Sequence, residues 1–347
     1  MLRFLLIVTT LVIGQKSYAE LSFKPYGKIS VDAVKNSAGT LDRTSGNSTN
    51  SVNSINEKNH TMHIQNSILG MTGESDLRSL NVSGKIEVDF NGENDATSSE
   101  IDAEPRVLEM YTMLNHKGSD VNLLLGQSND IVAPLNPMTY DNNNLATQGN
   151  LGWYRPQARL SREFFNHVDL AISAGYLHND REDRAEKFDY SGRIGLDTKD
   201  MLDDADLKIK LGAGYIDGRD TRSHSVHGQR VSYAIHLLAY DFHLNWNDMF
   251  MISSELWEGN GAGHYNGIGT FNTTTNTIPS SEGWWVEGRL KFSKLSLGVG
   301  KGEEKADDKA QKATATRNLE LLLEGSRTWT NLTYDFNSQV STGFEYA

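Results

Sequence analysis

The chain contains no cysteine. Disulfide stapling and thiolate metal sites are therefore excluded, and a lipoprotein anchor has no residue to acylate. Proline is scarce, 6 residues against 31 glycines, which suits long uninterrupted strands joined by turns. Long apolar runs are missing too. Phe4–Gly14, a largely apolar run of 11 residues, falls short of the roughly 20 that a membrane helix needs, and nothing later resembles one. Basic charge is in deficit, 33 side chains against 45 acidic ones, which argues against a nucleic-acid partner.

Residues 1–19 read as a secretory signal peptide. Arg3 supplies the positive start, Phe4–Gly14 the apolar stretch, and Ser17-Tyr18-Ala19 a small-x-small cleavage site. The expected mature domain is 20–347. Removing the signal, which holds Arg3 and Lys16 and no acid, leaves 31 basic and 45 acidic side chains, a net charge of −14. The mean hydropathy of −0.50 does not exclude a membrane protein, because only alternate residues of a barrel strand meet lipid.

What the chain does have is period-two alternation of apolar and charged residues. Lys85-Ile86-Glu87-Val88-Asp89-Phe90, Asp206-Leu207-Lys208-Ile209-Lys210-Leu211 and Glu287-Gly288-Arg289-Leu290-Lys291-Phe292 all show it. Successive side chains of a strand point to opposite faces, so each segment has one greasy face and one charged face. The pattern predicts an all-β fold, a transmembrane antiparallel barrel with lipid outside and water inside.

Strands are expected at about 22–35, 61–75, 81–91, 106–116, 121–129, 151–163, 167–177, 187–198, 205–216, 230–244, 249–259, 282–292, 294–302, 316–335 and 339–347. Short connections alternate with long polar ones, among them 36–60, 92–105, 130–150, 217–229 and 260–282. That alternation predicts short periplasmic turns and long extracellular loops. The expected count is about 15 of about 16 strands, as if a closing strand were missing. Tyr215, Tyr240, Trp246, Trp257, Trp284, Trp285 and Tyr334 are expected in the interfacial girdles.

Several segments resemble the DcaP-like porins of proteobacterial outer membranes. They are Leu123-Leu124-Leu125-Gly126-Gln127-Ser128, Arg155-Pro156-Gln157-Ala158-Arg159, Glu255-Leu256-Trp257-Glu258-Gly259-Asn260, Glu282-Gly283-Trp284-Trp285, and Asn331-Leu332-Thr333-Tyr334 with Gly343-Phe344-Glu345-Tyr346. The resemblance spans roughly 65–347 and implies a trimeric 16-stranded channel, with uptake of dicarboxylates and related anions in some members. Set against the family, the sequence is expected to lack the coiled-coil segment of some members and the closing strand.

Strand parity assigns a lumen face. It carries Lys85, Arg193, Lys208, Lys210, Arg289 and Lys291, the acids Glu87, Asp89, Asp197, Asp206 and Glu287, and, from the strand after the third loop, Arg155, Gln157 and Arg159. Eight bases against five acids predict a lumen surplus of +3. An arginine fork suits carboxylates because it donates two parallel hydrogen bonds, so Arg155 and Arg159 are the expected constriction pair. The loop 130–150, with Pro134, Pro137 and the run Asp141–Asn144, is long enough to fold inward and narrow the pore.

Other signals stay at background. His60-x-x-His63 and His224-x-x-His227 read as solvated loop histidines, and the acids around Asp203 lack the pattern of a calcium loop. No nucleophile elbow, phosphate loop or zinc-protease motif occurs, so no enzyme, cofactor or metal is expected. The reading is an outer-membrane porin for passive diffusion of small hydrophilic solutes, favouring anions such as carboxylates, as a homotrimer in lipid. The alternatives are a secreted or surface-attached β-sandwich adhesin and, last, an outer-membrane barrel hydrolase.

Overall fold

The computed structural model describes residues 21–36, 59–92, 104–140, 145–152, 154–176, 188–199, 201, 206–223, 230–268, 278–307 and 324–347. The predicted signal peptide, His224, His227 and Asp203-Asp204 lie outside these residues, as do most of the stretches 36–60 and 92–105.

Fifteen strands form one antiparallel sheet in which almost every strand pairs with its neighbours in sequence. They are β1 (Leu21–Lys28), β4 (Ile68–Asp76), β5 (Leu80–Asp89), β6 (Arg106–His116), β7 (Val121–Asn129), β8 (Tyr154–Phe164), β9 (Val168–Gly175), β10 (Asp189–Asp197), β11 (Leu207–Ser223), β12 (Arg230–Trp246), β13 (Phe250–Asn260), β14 (Ser280–Phe292), β15 (Leu295–Ala306), β16 (Glu324–Asp335) and β17 (Ser341–Tyr346). The sequential order is that of an up-and-down barrel wall. A separate hairpin, β2 (Asp32–Asn36) with β3 (Asn59–His63), stands between β1 and β4.

The structure corrects several boundaries. The expected strands 22–35 and 61–75 each break in two, at Ile29–Val31 and Ile64–Ser67, where the chain leaves the wall for the hairpin. The stretch 217–229 is not a long loop. Its first part continues β11, paired from Asp217↔His236 to Ser223↔Arg230. Polar composition reads as loop, but a ladder standing clear of the bilayer needs no apolar face. The short turns occur as expected. At the β12–β13 turn Asn247 and Asp248 adopt φ of 54° and 53°, a left-handed conformation that these two residue types tolerate well.

Directly opposed residues share a face of the sheet, so register carries each face around the barrel. One row runs Ile209–Leu244–Ile252–Gly288–Val299. The next below runs Leu207–Trp246–Phe250–Leu290–Leu297. These rows point outward and belong to an apolar belt that has Tyr240 and Trp284 toward one edge and Trp246, in the lower row, and Tyr334 toward the other. A single sheet with its apolar face outward is the inverse of a soluble sandwich, whose apolar faces pack on each other. The adhesin alternative is thereby set aside.

Charge in the belt is expected to be costly. Ile209→Lys, one row inside Trp246, should lose about 2–4 kcal/mol and fail to give the heat-modifiable gel band of an assembled barrel, and Leu290→Lys, in the Trp246 row, should lose a smaller amount. Lys208→Gln, one residue away on the other face, should assemble normally. Equal assembly of all three variants would overturn the face assignment.

Candidate functional site

The interior of the barrel is built around the loop between β7 and β8, which folds against the inner wall. Ile131, Val132, Ala133 and Leu151 join Ile216, Ile235, Leu237, Ala239 and Trp257 of the wall in one buried cluster. A second loop completes it: Ala262 and Tyr265, from a 3-10 turn at Ala262–Tyr265, pack into the same cluster. The two inward loops are hydrogen-bonded to each other, Gly152 N donating to Tyr265 O at 2.8 Å and Thr147 N to Asn266 O at 3.0 Å.

Wall carboxylates hold the long loop by its backbone. Glu255 accepts from Leu135 N at 2.8 Å, Glu287 from Met138 N at 2.9 Å and Glu345 from Tyr140 N at 2.8 Å. Glu304 accepts from Gly149 N of one loop and Ile268 N of the other. Indole donors add to this: Trp257 Nε1 to Gly149 O at 2.9 Å, and Trp285 Nε1 to Asn150 Oδ1 at 3.2 Å. Gly325 lies where the loop runs closest, and any Cβ there would overlap the Thr147 carbonyl.

Arg155 anchors the root of this loop. Its guanidinium is 2% exposed and pairs with Asp130 at 3.0 Å and Asp189 at 3.9 Å. It donates to Ser191 Oγ at 2.5 Å and lies over the Tyr265 ring at 5.4 Å. Tyr265 in turn donates to Asp189 at 2.9 Å, its phenol pushed well above the usual range by burial. Asp130 also accepts from Ile131 N at 2.7 Å, which shapes the first turn of the loop. Arg155 thus binds β8, β10 and both inward loops together.

The predicted lumen residues that lie in strands have inward register, but most are neutralised; Asp206 lies in the turn before β11 and has no register. Lys85 pairs with Glu87 at 3.0 Å and with Glu109. Asp89 takes a bidentate pair from Arg106, and Arg193 makes one with Asp241. Lys210 pairs with Asp197 at 3.0 Å and Lys291 with Asp335 at 3.6 Å. Lys208 is exposed at the end of the wall near the β10–β11 turn. Arg289 lies beside Glu287 and is 3.5 Å from Met138 O.

Arg159 differs. It donates to Gln157 Oε1 at 3.1 and 3.2 Å and to Asn129 O, with no carboxylate partner among the described residues. Gln157 is itself fixed by the Ser128 and Asn129 carbonyls, each at 2.9 Å. The expected pair therefore divides: Arg155 is a buried anchor and Arg159 a half-buried cation bound to neutral oxygens.

Two further expectations are corrected. Trp257 and Trp285 are not girdle residues; they are 1% and 0% exposed, under the inward loop. Tyr215, Tyr240, Trp246, Trp284 and Tyr334 do face outward, each 37–46% exposed. The lumen surplus of +3 also fails, because Glu109, Asp189, Asp241, Glu255, Glu304 and Glu345 share the inward face. Sequence parity could have found these carboxylates by extension across neighbouring strands. Nothing local signalled that three of them, Glu255, Glu304 and Glu345, receive loop amides. Among the described residues no group of three or more His, Asp or Glu side chains is placed to hold a metal ion.

A continuous antiparallel wall, an outward apolar belt and a long loop folded inside define an outer-membrane β-barrel of the porin type. The comparisons with solved structures agree. The chain is similar to the outer-membrane channel DcaP of Acinetobacter baumannii, at 18% identity and a TM-score of 0.73, covering 96% of this chain and 92% of that one. It is similar to an anion-selective porin from Comamonas acidovorans at 10% identity and TM-score 0.58, covering 93% and 87%. It is also similar to Salmonella typhi OmpF in complex with daunomycin, at 13% identity and TM-score 0.57, covering 93% and 89%. No protein-family model and no curated protein matches the chain. At these identities the likeness establishes the fold, and the resemblance to DcaP-like porins is borne out at that level.

Proposed function

We propose that the chain forms a water-filled channel for passive diffusion of small hydrophilic solutes across the outer membrane. The eyelet prefers small anions, carboxylates especially, and the working unit is the homotrimer that the DcaP-like resemblance implies. One observation carries the anion preference: Arg159, beside the root of the inward loop, gives its hydrogen bonds to the neutral oxygens of Gln157 and Asn129 rather than to a carboxylate. Of the inward glutamates, Glu255, Glu287, Glu304 and Glu345 are turned to the loop backbone, and Glu87 and Glu109 are paired with Lys85. Selectivity is then set by the charge that permeating ions meet in the narrowest section.

The test is reversal potential in a KCl gradient across a planar bilayer. Wild type should be anion-selective. Arg159→Ala should lower the anion-to-cation permeability ratio roughly fivefold, the equivalent of about 1 kcal/mol of ion–arginine attraction in a wet lumen. Lys208→Gln should leave it unchanged, since charges beyond about 8 Å from the ion's path are screened at physiological salt. A cation-selective wild type, or an unaltered ratio in Arg159→Ala, would remove Arg159 from the eyelet and leave the channel reading standing.

A further inference from the structure

On the outward face, one strand row above the Tyr240–Trp284 girdle, the wall carries a groove of about 480 Å³. That volume is within the range of small-ligand sites. Its central row runs Tyr215–Leu238–Glu258–Glu282–Lys305, each residue directly across from the next. The row above contributes His236 and Ser280. Gly259 forms part of the floor with φ of 150°, and a Cβ there would overlap the His236 carbonyl, so the hollow depends on glycine.

We infer that this groove binds the saccharide headgroup of an outer-leaflet glycolipid. The inference rests on the membrane-barrel fold. Its height decides the neighbourhood: aromatic girdles sit at headgroup level, so a groove one row further out faces the sugars of the leaflet rather than its acyl chains. Its chemistry decides the group recognised. Tyr215 and His236 form a stacked pair, ring centroids 6.4 Å apart and 7° from parallel. They are braced by Tyr215 Oη to His236 Nδ1 at 3.1 Å and by His236 to Asp217 at 3.0 Å. An aromatic platform takes the C–H face of a pyranose ring. The carboxylates of Glu258 and Glu282 are acceptors only, matched to ring hydroxyls. They repel a bare phosphate, which leaves Lys305, already paired with Glu303 at 2.6 Å, as a lone cation on the rim.

The folded protein in detergent is titrated with rough-type lipopolysaccharide and, separately, with phosphatidylglycerol, and retained lipid is read by native mass spectrometry. Wild type should retain lipopolysaccharide in preference. Tyr215→Ala/His236→Ala and Glu258→Gln/Glu282→Gln should each bind it at least tenfold more weakly. Ile86→Ala, outward on β5 and several strands round the wall from the groove, should bind as wild type. Heat-modifiable migration verifies that every variant is folded. No retention by wild type, undiminished retention by both double variants, or equal retention of phosphatidylglycerol each overturns the site. A change confined to the oligomer distribution also overturns it and makes the groove a contact between copies. Bilayer conductance, measured on the same preparations, reports on the channel reading separately.

Discussion

Arg155→Ala should destabilise the assembled barrel by about 3–5 kcal/mol, the usual cost of removing one partner from a buried ion pair. The variant should lose its heat-modifiable band at lower temperature or urea than wild type. The guanidinium is enclosed with Asp130 and Asp189, at 2%, 1% and 0% side-chain exposure. Its loss leaves two buried carboxylates without that positive charge and takes the brace from the start of the inward loop. Arg155→Lys should recover only part of the loss, because an ammonium cannot make the fork that spans Asp130 and Ser191. Adding Asp130→Asn and Asp189→Asn to Arg155→Ala should recover more, since a buried network is safer removed whole than broken. A single Arg155→Ala variant as stable as wild type would show that the network is not an anchor.

How far these features could be read from the sequence differs by level. The barrel wall was legible because membrane strands have a two-sided environment, and Ile209 beside Lys208 and Lys210 records it directly. Face was legible for the same reason, and the named lumen residues that lie in strands have inward register. What a face meets was not. Parity tells that Arg155 and Arg159 point inward, not that one is sealed beneath two loops and the other meets only amide oxygens. Those contacts join residues far apart in the chain, as Gly149 with Glu304 and Leu135 with Glu255. No local pattern encodes them. The girdle expectation erred differently. Trp284 and Trp285 are neighbours in a strand, so the alternation that revealed the wall also required one of them to point inward.

The second large effect concerns Glu304, whose carboxylate receives one amide from each inward loop, Gly149 N and Ile268 N. It is 1% exposed, so water cannot replace it without entering the packed interior. Glu304→Ala leaves two buried donors unpaired, each costing roughly 1–3 kcal/mol. The barrel wall keeps its hydrogen-bond ladder, because β15 pairs with β14 and β16 through backbone groups that the substitution does not touch. The expected result is a barrel that assembles and migrates normally but whose inward loop is loosened. Its single-channel conductance should rise and become noisier, and the loop should become sensitive to protease added from the extracellular side. Glu304→Gln keeps one acceptor oxygen where two amides converge, so it should fall between wild type and alanine. Normal, quiet conductance in Glu304→Ala would mean that the loop is held by its apolar contacts with Trp257 and Leu237, and that the carboxylate is dispensable to the constriction.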